Sequence, residues 1–408
     1  MYKRNLAVKV EKALKRSPVV LITGARQSGK TTLIKSVGQE RGYSYVSFDD
    51  VRYLSAAKSD PIGFIAGLQK PVILDEVQRM PELFLAIKQD VDEHRIPGRY
   101  ALTGSANPLL IPRLGDSLAG RMEILELFPL SAGEIVGRQE TFIEWLFNDD
   151  APKAVIPIAK QDLYRTIITG GYPSVQTLNQ EDRDAWFSGY ITTILHRDVQ
   201  ELAQITGLTD LPRLLQLLAT RVGNVLNVAD ISRTSGIATS TLHRYLALLQ
   251  TVFLVNLQQP WSSNLGKRLI KSPKTYLVDT GLLSFLLDLN LEKAMVNPQP
   301  MGALVENFVQ AELLKQATWN NVRMHQYHLR TQTGVEVDIV LEDASGKLVG
   351  IEVKNSQTVS ASDFKGLMYL QEEAKSIFHR GIVFYSGSEI VPFGPNLYAL
   401  PMSALWNF

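Results

Sequence analysis

One octapeptide constrains this chain more than any other feature. Residues 24–31 read GARQSGKT, which is glycine, four variable residues, glycine, lysine and threonine. A loop of this kind curls so that successive backbone N–H groups point inward, and Gly24 and Gly29 give the backbone the freedom to do it. The cradle of Gly24, Ala25, Arg26, Gln27, Ser28, Gly29, Lys30, Thr31 and Thr32 takes phosphate oxygens. Lys30 reaches the β and γ phosphates, and the Thr31 hydroxyl ligates magnesium. The apolar run VVLIT precedes the loop and reads as a strand buried on both faces, as in parallel sheets. A helix is expected from about Lys30, and its N-terminal dipole adds to the anion site.

The surrounding pattern agrees with that placement. Leu6, Val10 and Leu14 recur at helical spacing, so residues 3–16 are expected to form a helix. Tyr45, Val46 and Phe48 suggest a second strand, and PVILDE a third. Residues 81–94 are expected to be helical, and RYALTGS and RMEILEL give two further strands. Alternating strands and helices imply a doubly wound parallel sheet over residues 1–130.

The third strand ends at Asp75-Glu76, and acids at a strand's carboxyl end face the ligand crevice. Asp75 is expected to hold magnesium, mostly through water, and Glu76 to polarise the attacking water. The extra strand between the two motifs suits an ATPase better than a nucleotide kinase. LTGSA closes the fourth strand; Ser105 or Thr103 can orient the water there, or the segment is an ordinary turn. Arg121, in LAGRM, is either a surface arginine or one that reaches the γ phosphate of a neighbouring subunit in a homo-oligomer.

Composition narrows the remainder. A chain of 408 residues, 45% of them hydrophobic, forms several cores rather than one. Lys plus Arg (42) balance Asp plus Glu (41), so a nucleic-acid surface has to be local. The absence of cysteine excludes disulfides, Cys-ligated zinc and thiol catalysis. The N-terminus lacks a signal-like apolar core, and no run has the length of a membrane span. A cytoplasmic protein with no membrane partner is expected.

Residues 131–222 read as mainly helical, and residues 224–258 as a compact helical pair followed by an apolar strand, FLVNL. Within 206–275, Val228, Ile231 and Ile237 look like core positions, Gly236 a turn and Thr239 or Ser240 an N-cap. Leu242, Leu246 and Leu249 then face inward. This is the grammar of a helix-turn-helix, with Thr241, His243 and Arg244 on the outward face. GKRLIKSPK follows, carrying Lys267, Arg268, Lys271 and Lys274. It is either a wing that grips DNA phosphates or a solvated loop on a protein-contact module.

Residues 276–408 form a second α/β pattern. Asp338 lies in VEVDIVL, and Glu352 and Lys354 lie two apart in GIEVKN, hence on one strand face. Glu306 lies on the preceding helix. Acid, acid and lysine in this order resemble the restriction-endonuclease-like core. There Asp338 and Glu352 would bind magnesium and Lys354 would stabilise charge near the attacked phosphate. The alternative is a row of alternating charges on an exposed strand.

Taken together, GARQSGKTTL, SFDD, VILDEVQRMPELF, LTGSA, LAGR, FPLSAGE, GGYP, HRDV, LHRYLALLQTVFLV, KSPKTYLVDTGL, GALVENFV and EVDIVL with IEVK resemble the prokaryotic AAA-type ATPases that carry a C-terminal domain of unknown function. The resemblance covers nearly the whole chain. It implies ATP hydrolysis and an AAA core over 1–130. It further implies a helical lid over 131–205, a winged helix over 206–275 and a nuclease-like α/β domain over 276–408. The leading expectation is a DNA-associated ATPase acting in repair, mobile-element or defence contexts. The rivals are a nucleotide-driven switch whose C-terminal domains bind proteins, and a nuclease that ATP regulates.

Overall fold

Five short apolar strands build the sheet that the sequence pattern demands: β1 (Val19–Thr23), β2 (Ser44–Ser47), β3 (Val72–Asp75), β4 (Tyr100–Gly104) and β5 (Met122–Glu126). Their order is β2-β3-β4-β1-β5, and every pairing is parallel. The three inner strands β1, β3 and β4 are buried along their whole length, whereas edge strands β2 and β5 are mostly half-exposed. Among the helices that accompany them are α1 (Ala7–Arg16), α2 (Lys30–Gln39) and α3 (Leu83–Glu93). Helix α1 begins at Ala7 rather than at residue 3, because Arg4 lies ahead of it with its guanidinium bonded to the Ser28 and Phe128 carbonyls. Val19, Leu21, Leu74, Phe84, Ile87 and Leu102 meet in one core.

The computed structural model describes residues 2–39, 41–107, 118–152, 154–199, 210–262 and 272–408. They divide into two compact units. The sheet unit holds Lys3–Pro129 with Ala247–Leu254, and the second unit holds Met1–Tyr2, Leu130–Leu246 and Val255–Phe408. Residues 247–254 of the segment expected over 206–275 fall in the sheet unit, and the described rest of the three later segments falls in the second unit, which Leu130 also joins. The expected boundary after residue 275 also falls inside a strand.

The second unit starts helical, with α4 (Lys160–Thr169), α5 (Gln180–Thr193) and α6 (Leu211–Ala219). Next come α7 (Val228–Ser235) and α8 (Thr239–Thr251). The Asn227 side chain caps α7, and Gly236 ends it in the left-handed conformation, at φ 75°. Ile231, Ile237, Leu242, Leu246 and Leu249 are buried, while Val228 is only half-buried. An antiparallel pair follows, β6 (Val255–Gln258) and β7 (Lys274–Leu277). Then come α9 (Thr280–Leu286) and the long α10 (Met301–Trp319).

A mixed six-stranded sheet completes this unit: β8 (Met324–Arg330), β9 (Glu336–Asp343), β10 (Leu348–Val353), β11 (Phe378–Tyr385), β12 (Val391–Gly394) and β13 (Leu397–Pro401), with α11 (Lys365–Ala374) against it. Its order is β12-β13-β11-β10-β9-β8. The β10–β11 and β11–β13 pairs are parallel and the others antiparallel.

Helix α10 is buried over most of its surface, charged residues included. Lys315 donates to Glu312 at 2.7 Å and to the Leu130 carbonyl at 2.9 Å, and Glu312 accepts from Ala132 N–H at 2.8 Å. The turn so held, Leu130–Glu134, also carries a capping box. Its Leu130 N–H donates to Gly171 O at 2.7 Å, and Gly171 N–H donates to Asp279 at 2.6 Å. Two glycines are required here. Gly170 has φ 74°, and a Cβ at Gly171 would lie 2.3 Å from the Leu130 oxygen. The motifs FPLSAGE, GGYP and VDTGL thus converge on α10.

Lys315→Met would leave Glu312 buried without its ammonium, and removing one partner of such a pair costs roughly 3–5 kcal/mol. All five tryptophans lie in the second unit, at 145, 186, 261, 319 and 406. Urea unfolding followed by tryptophan fluorescence therefore reports this unit directly, and a loss below about 1 kcal/mol would remove Lys315 from its organising role.

Candidate functional site

Strand β1 delivers the chain to Gly24 in the centre of the parallel sheet, at the carboxyl ends of the strands where such folds bind ligands. Gly24 takes φ 147°, and a Cβ there would sit 2.0 Å from the Leu127 oxygen. Gly29 takes φ 96°. Gln27 adopts the left-handed region at φ 59° within the same curl. Lys30 is buried and folds back over the loop, donating to the carbonyls of Gly24 (3.0 Å) and Ala25 (2.9 Å). The Arg4 guanidinium, equally buried, donates to Ser28 O (2.6 Å) and Phe128 O (2.7 Å) and so braces the loop from below helix α1. Sequence reasoning did not find Arg4; its distance in the chain from the loop gives no local signal.

The end of β3 meets this loop. Asp75 accepts from the Thr31 hydroxyl at 2.9 Å and from Tyr45 at 2.7 Å, and Thr103 also donates to it. Each of these partners is neutral, so they orient the carboxylate without discharging it. Burial, followed by the nearby Asp75 charge, raises the Tyr45 hydroxyl's pKa and keeps it a donor. A hydroxyl and a carboxylate side by side are hard oxygen donors of the kind magnesium takes. The residues expected to hold that ion, Thr31 and Asp75, therefore fit it.

Glu76 adopts a left-handed backbone, φ 58° and ψ 45°, which is unfavourable for a residue with a Cβ. Its N–H is held by the Thr103 hydroxyl at 3.2 Å. Its carboxylate accepts from the Ser105 hydroxyl at 3.3 Å and from the Gln78 amide, and that same amide donates to Ser105 Oγ at 2.8 Å. The sequence-chosen Glu76, Ser105 and Thr103 are thus brought together. Gln78, in the short helical turn after β3, was not anticipated, although its place two residues after an acid pair is a usable signal.

Arg121 lies at the opposite end of the sheet. Strand β5 runs parallel to β1 with Met122 opposite Val19 and Glu126 opposite Thr23. Arg121 therefore stands one strand length, about 16 Å at ~3.3 Å per residue, from the end that carries the loop. It is bonded to Asp92 and to Ala119 O (3.1 Å). It also lines a cavity of about 480 Å³ with Arg16, Arg95 and Glu123.

In the second unit, Arg244 and His243 on α8 are exposed and Thr241 half-buried. Lys267, Arg268 and Lys271 lie outside the described residues. Lys274, expected with that basic stretch, is instead 1% exposed in the side chain. Its ammonium contacts Glu306 at 3.1 Å, Glu336 at 2.7 Å and Asp338 at 3.2 Å. The correction has a plain cause: on β7, Lys274 faces acids on α10 and β9 that stand far from it in sequence.

The acids and lysine singled out from sequence do gather. Asp338 on β9 accepts from Val353 N–H of β10 at 3.0 Å, and Lys354 donates to Glu352 at 3.0 Å. Burial and the neighbouring Asp338 charge raise the pKa of both Glu306 and Glu352. For Lys274, burial lowers the pKa, but Glu306, Asp338 and Glu336 outweigh it and the net shift is upward. A cleft of about 380 Å³ borders the group, lined among others by Glu336, Asp338, Glu352, Lys354, Asp363 and Lys365. As it stands this donor set does not fit a divalent ion. Glu306, Glu336 and Asp338 face an ammonium, and among the described residues no group of three or more acidic or histidine side chains is arranged to hold a metal.

Hydrolysis by the first site has a direct test. Glu76→Gln is expected to keep nucleotide affinity and lower turnover by on the order of a hundredfold. Gln78→Ala is expected to lower turnover by roughly tenfold, as loss of an orienting contact rather than of the base. Equal effects of the two substitutions would assign the base role elsewhere.

Three family models match in succession: an AAA domain over residues 16–136, a domain of unknown function (DUF8612) over 160–293 and a second domain of unknown function (DUF4143) over 301–405. An uncharacterized protein of Mycobacterium tuberculosis is 34% identical over 403 residues, covering 98% of this chain and 83% of its own. One from Haemophilus influenzae is 22% identical over 396 residues, covering 91% of each chain. Among solved structures, the Walker-type ATPase PABY2304 of Pyrococcus abyssi is similar at 15% identity and TM-score 0.45, covering 70% of this chain and 96% of its own.

Proposed function

This chain belongs to the family of AAA-type P-loop ATPases that carry a C-terminal DUF4143 domain, and we propose that it works as a homo-oligomeric, DNA-associated ATP hydrolase. The observation that carries the hydrolytic part is the Glu76–Gln78–Ser105 triangle beside the Thr31–Asp75 pair. In this reading the loop N–H groups and Lys30 bind the β and γ phosphates. Thr31 and Asp75 hold magnesium, which when bound neutralises charge on the phosphates. Gln78 and Ser105 fix the Glu76 carboxylate, which orients a water and accepts its proton as the water oxygen bonds to the γ phosphorus. The bond from that phosphorus to the β–γ bridging oxygen breaks, leaving ADP and inorganic phosphate.

The oligomer rests on Arg121. Its position at the far end of β5 keeps it from the loop of its own subunit. A neighbouring subunit's γ phosphate is therefore the reading that gives it work, in exchange for the Asp92 carboxylate that it bonds within its own subunit. Mixing Arg121→Ala protein with Glu76→Gln protein is expected to restore part of the ATPase activity that each lacks. Each mixed interface can then pair an intact Arg121 with an intact Glu76. A monomer with full turnover at every concentration would exclude the trans role.

The DNA part rests on the helix-turn-helix over α7 and α8, whose exposed Arg244 and His243 point to solvent, together with the basic stretch that follows. Duplex, single-stranded or branched DNA is expected to raise ATP turnover, with an effect that fades as salt rises, since phosphate contacts release counterions. Neutralising Lys267, Arg268 and Lys271 together should weaken binding to all sequences alike. No salt-sensitive DNA binding at all would favour the second reading, a nucleotide-driven switch whose C-terminal domains bind proteins. Cleavage is not assigned to the nuclease-like domain, because an ammonium stands among its acids.

A further inference from the structure

We infer that Lys274 is a built-in cation that takes the place of a divalent metal in the nuclease-like acid cluster, and that in this protein the cluster grips strand β7 instead of an ion. The inference is independent of the ATPase and DNA readings, since neither reading uses Lys274, Glu306, Glu336 or Asp338.

The stoichiometry of the contact is the first support. A lysine ammonium has three N–H donors and no acceptor. Lys274 has three carboxylates around it, Glu306 at 3.1 Å, Glu336 at 2.7 Å and Asp338 at 3.2 Å. The fourth acid, Glu352, has its own ammonium, Lys354 at 3.0 Å. Magnesium demands oxygen ligands at about 2.0–2.1 Å. A divalent ion that close to the same oxygens would have to share their centre with a buried positive charge. Ion and ammonium therefore exclude one another.

The second support is what else holds β7. Residues two apart on a strand share a face, and Tyr276, two beyond Lys274, donates to the same Glu306 at 2.7 Å. The next residue is held through its backbone. Leu277 N–H donates to the Asn307 side chain at 2.9 Å, and the Asn307 amide returns a bond to Leu277 O at 2.9 Å. Asn307 so mimics a neighbouring strand. Glu306 and Asn307 are adjacent on α10, and together they clamp three of the four residues of β7. An acid that would serve a metal in a nuclease serves here as the anchor of a structural strand.

The experiment compares the full-length, nucleotide-free wild type with Lys274→Met, Asp338→Asn and the double variant. Manganese binding is read by electron paramagnetic resonance and thermal stability by scanning fluorimetry. A Thr31→Ala background removes any contribution from the phosphate loop. The wild type is expected to show no manganese site that depends on Asp338. Lys274→Met is expected to melt earlier and to regain several degrees in millimolar manganese, and the double variant to regain none. A wild-type manganese site that Asp338→Asn abolishes would overturn the inference, as would a folded Lys274→Met protein indifferent to manganese. If Lys274→Met does not fold, the wild-type binding measurement still decides the matter.

Discussion

A helix buried nearly all round cannot carry charges without dictating what packs against it. Helix α10 buries Glu312 and Lys315, together with Asn307 and Gln310, and carries the half-buried Glu306. Burying an ion without a partner costs several kcal/mol, so the charged groups select segments that satisfy them. Glu312 and Lys315 select the Leu130–Glu134 turn. Glu306 and Asn307 select β7. The turn in turn fixes Gly170 and Gly171, which fix Asp279 at the start of α9. Sequence segments separated by more than a hundred residues are thereby locked to one helix through polar contacts, and apolar packing fills the space between them.

The sheet unit is organised differently. Its inner strands are apolar throughout and need no polar guidance along their length. Polar chemistry appears only where the strands stop. Gly24, Asp75, Glu76 and Ser105 all stand at carboxyl ends, and the strain accepted at Glu76 is repaid by aiming a carboxylate rather than by stability. The constraint here is the close approach at Gly24, where the Leu127 oxygen leaves no room for a Cβ. Any larger residue would push the loop off the sheet and misplace Lys30 and Thr31 with it.

This difference explains how much was legible in the sequence. The first sheet follows from local patterns: VVLIT, VILDE and YALTG are short apolar runs, and glycine-rich or acidic punctuation marks their ends. The phosphate loop, Asp75, Glu76 and Ser105 were legible for the same reason. Arg4, Tyr45 and Gln78 were not, since each acts through tertiary contacts that no periodicity announces. In the second unit, strand β8 (MHQYHLR) escaped because its histidines and glutamine break the apolar alternation that marks strands, and it forms at the sheet edge beside β9. Lys274 was misread because its neighbours in sequence are basic. Only the fold reveals that its neighbours in space are Glu306, Glu336 and Asp338. The α7–α8 helix pair was legible because Gly236 and the leucine spacing of α8 are local features.

The two units use the same residue types to opposite ends, and the difference lies in the charge of the partner. Asp75 and Glu76 are held by Thr31, Thr103, Tyr45, Gln78 and Ser105, all neutral donors. Neutral donors fix geometry and leave the negative charge for an ion or a reacting water. Glu306, Glu336 and Asp338 are held by an ammonium, which fixes geometry and offsets part of their charge. Neutral partners leave a carboxylate's full charge to a metal ion, whereas a fixed ammonium competes with the ion for it. By that criterion the acids of the phosphate-loop unit are poised for chemistry, and those around Lys274 are committed to structure.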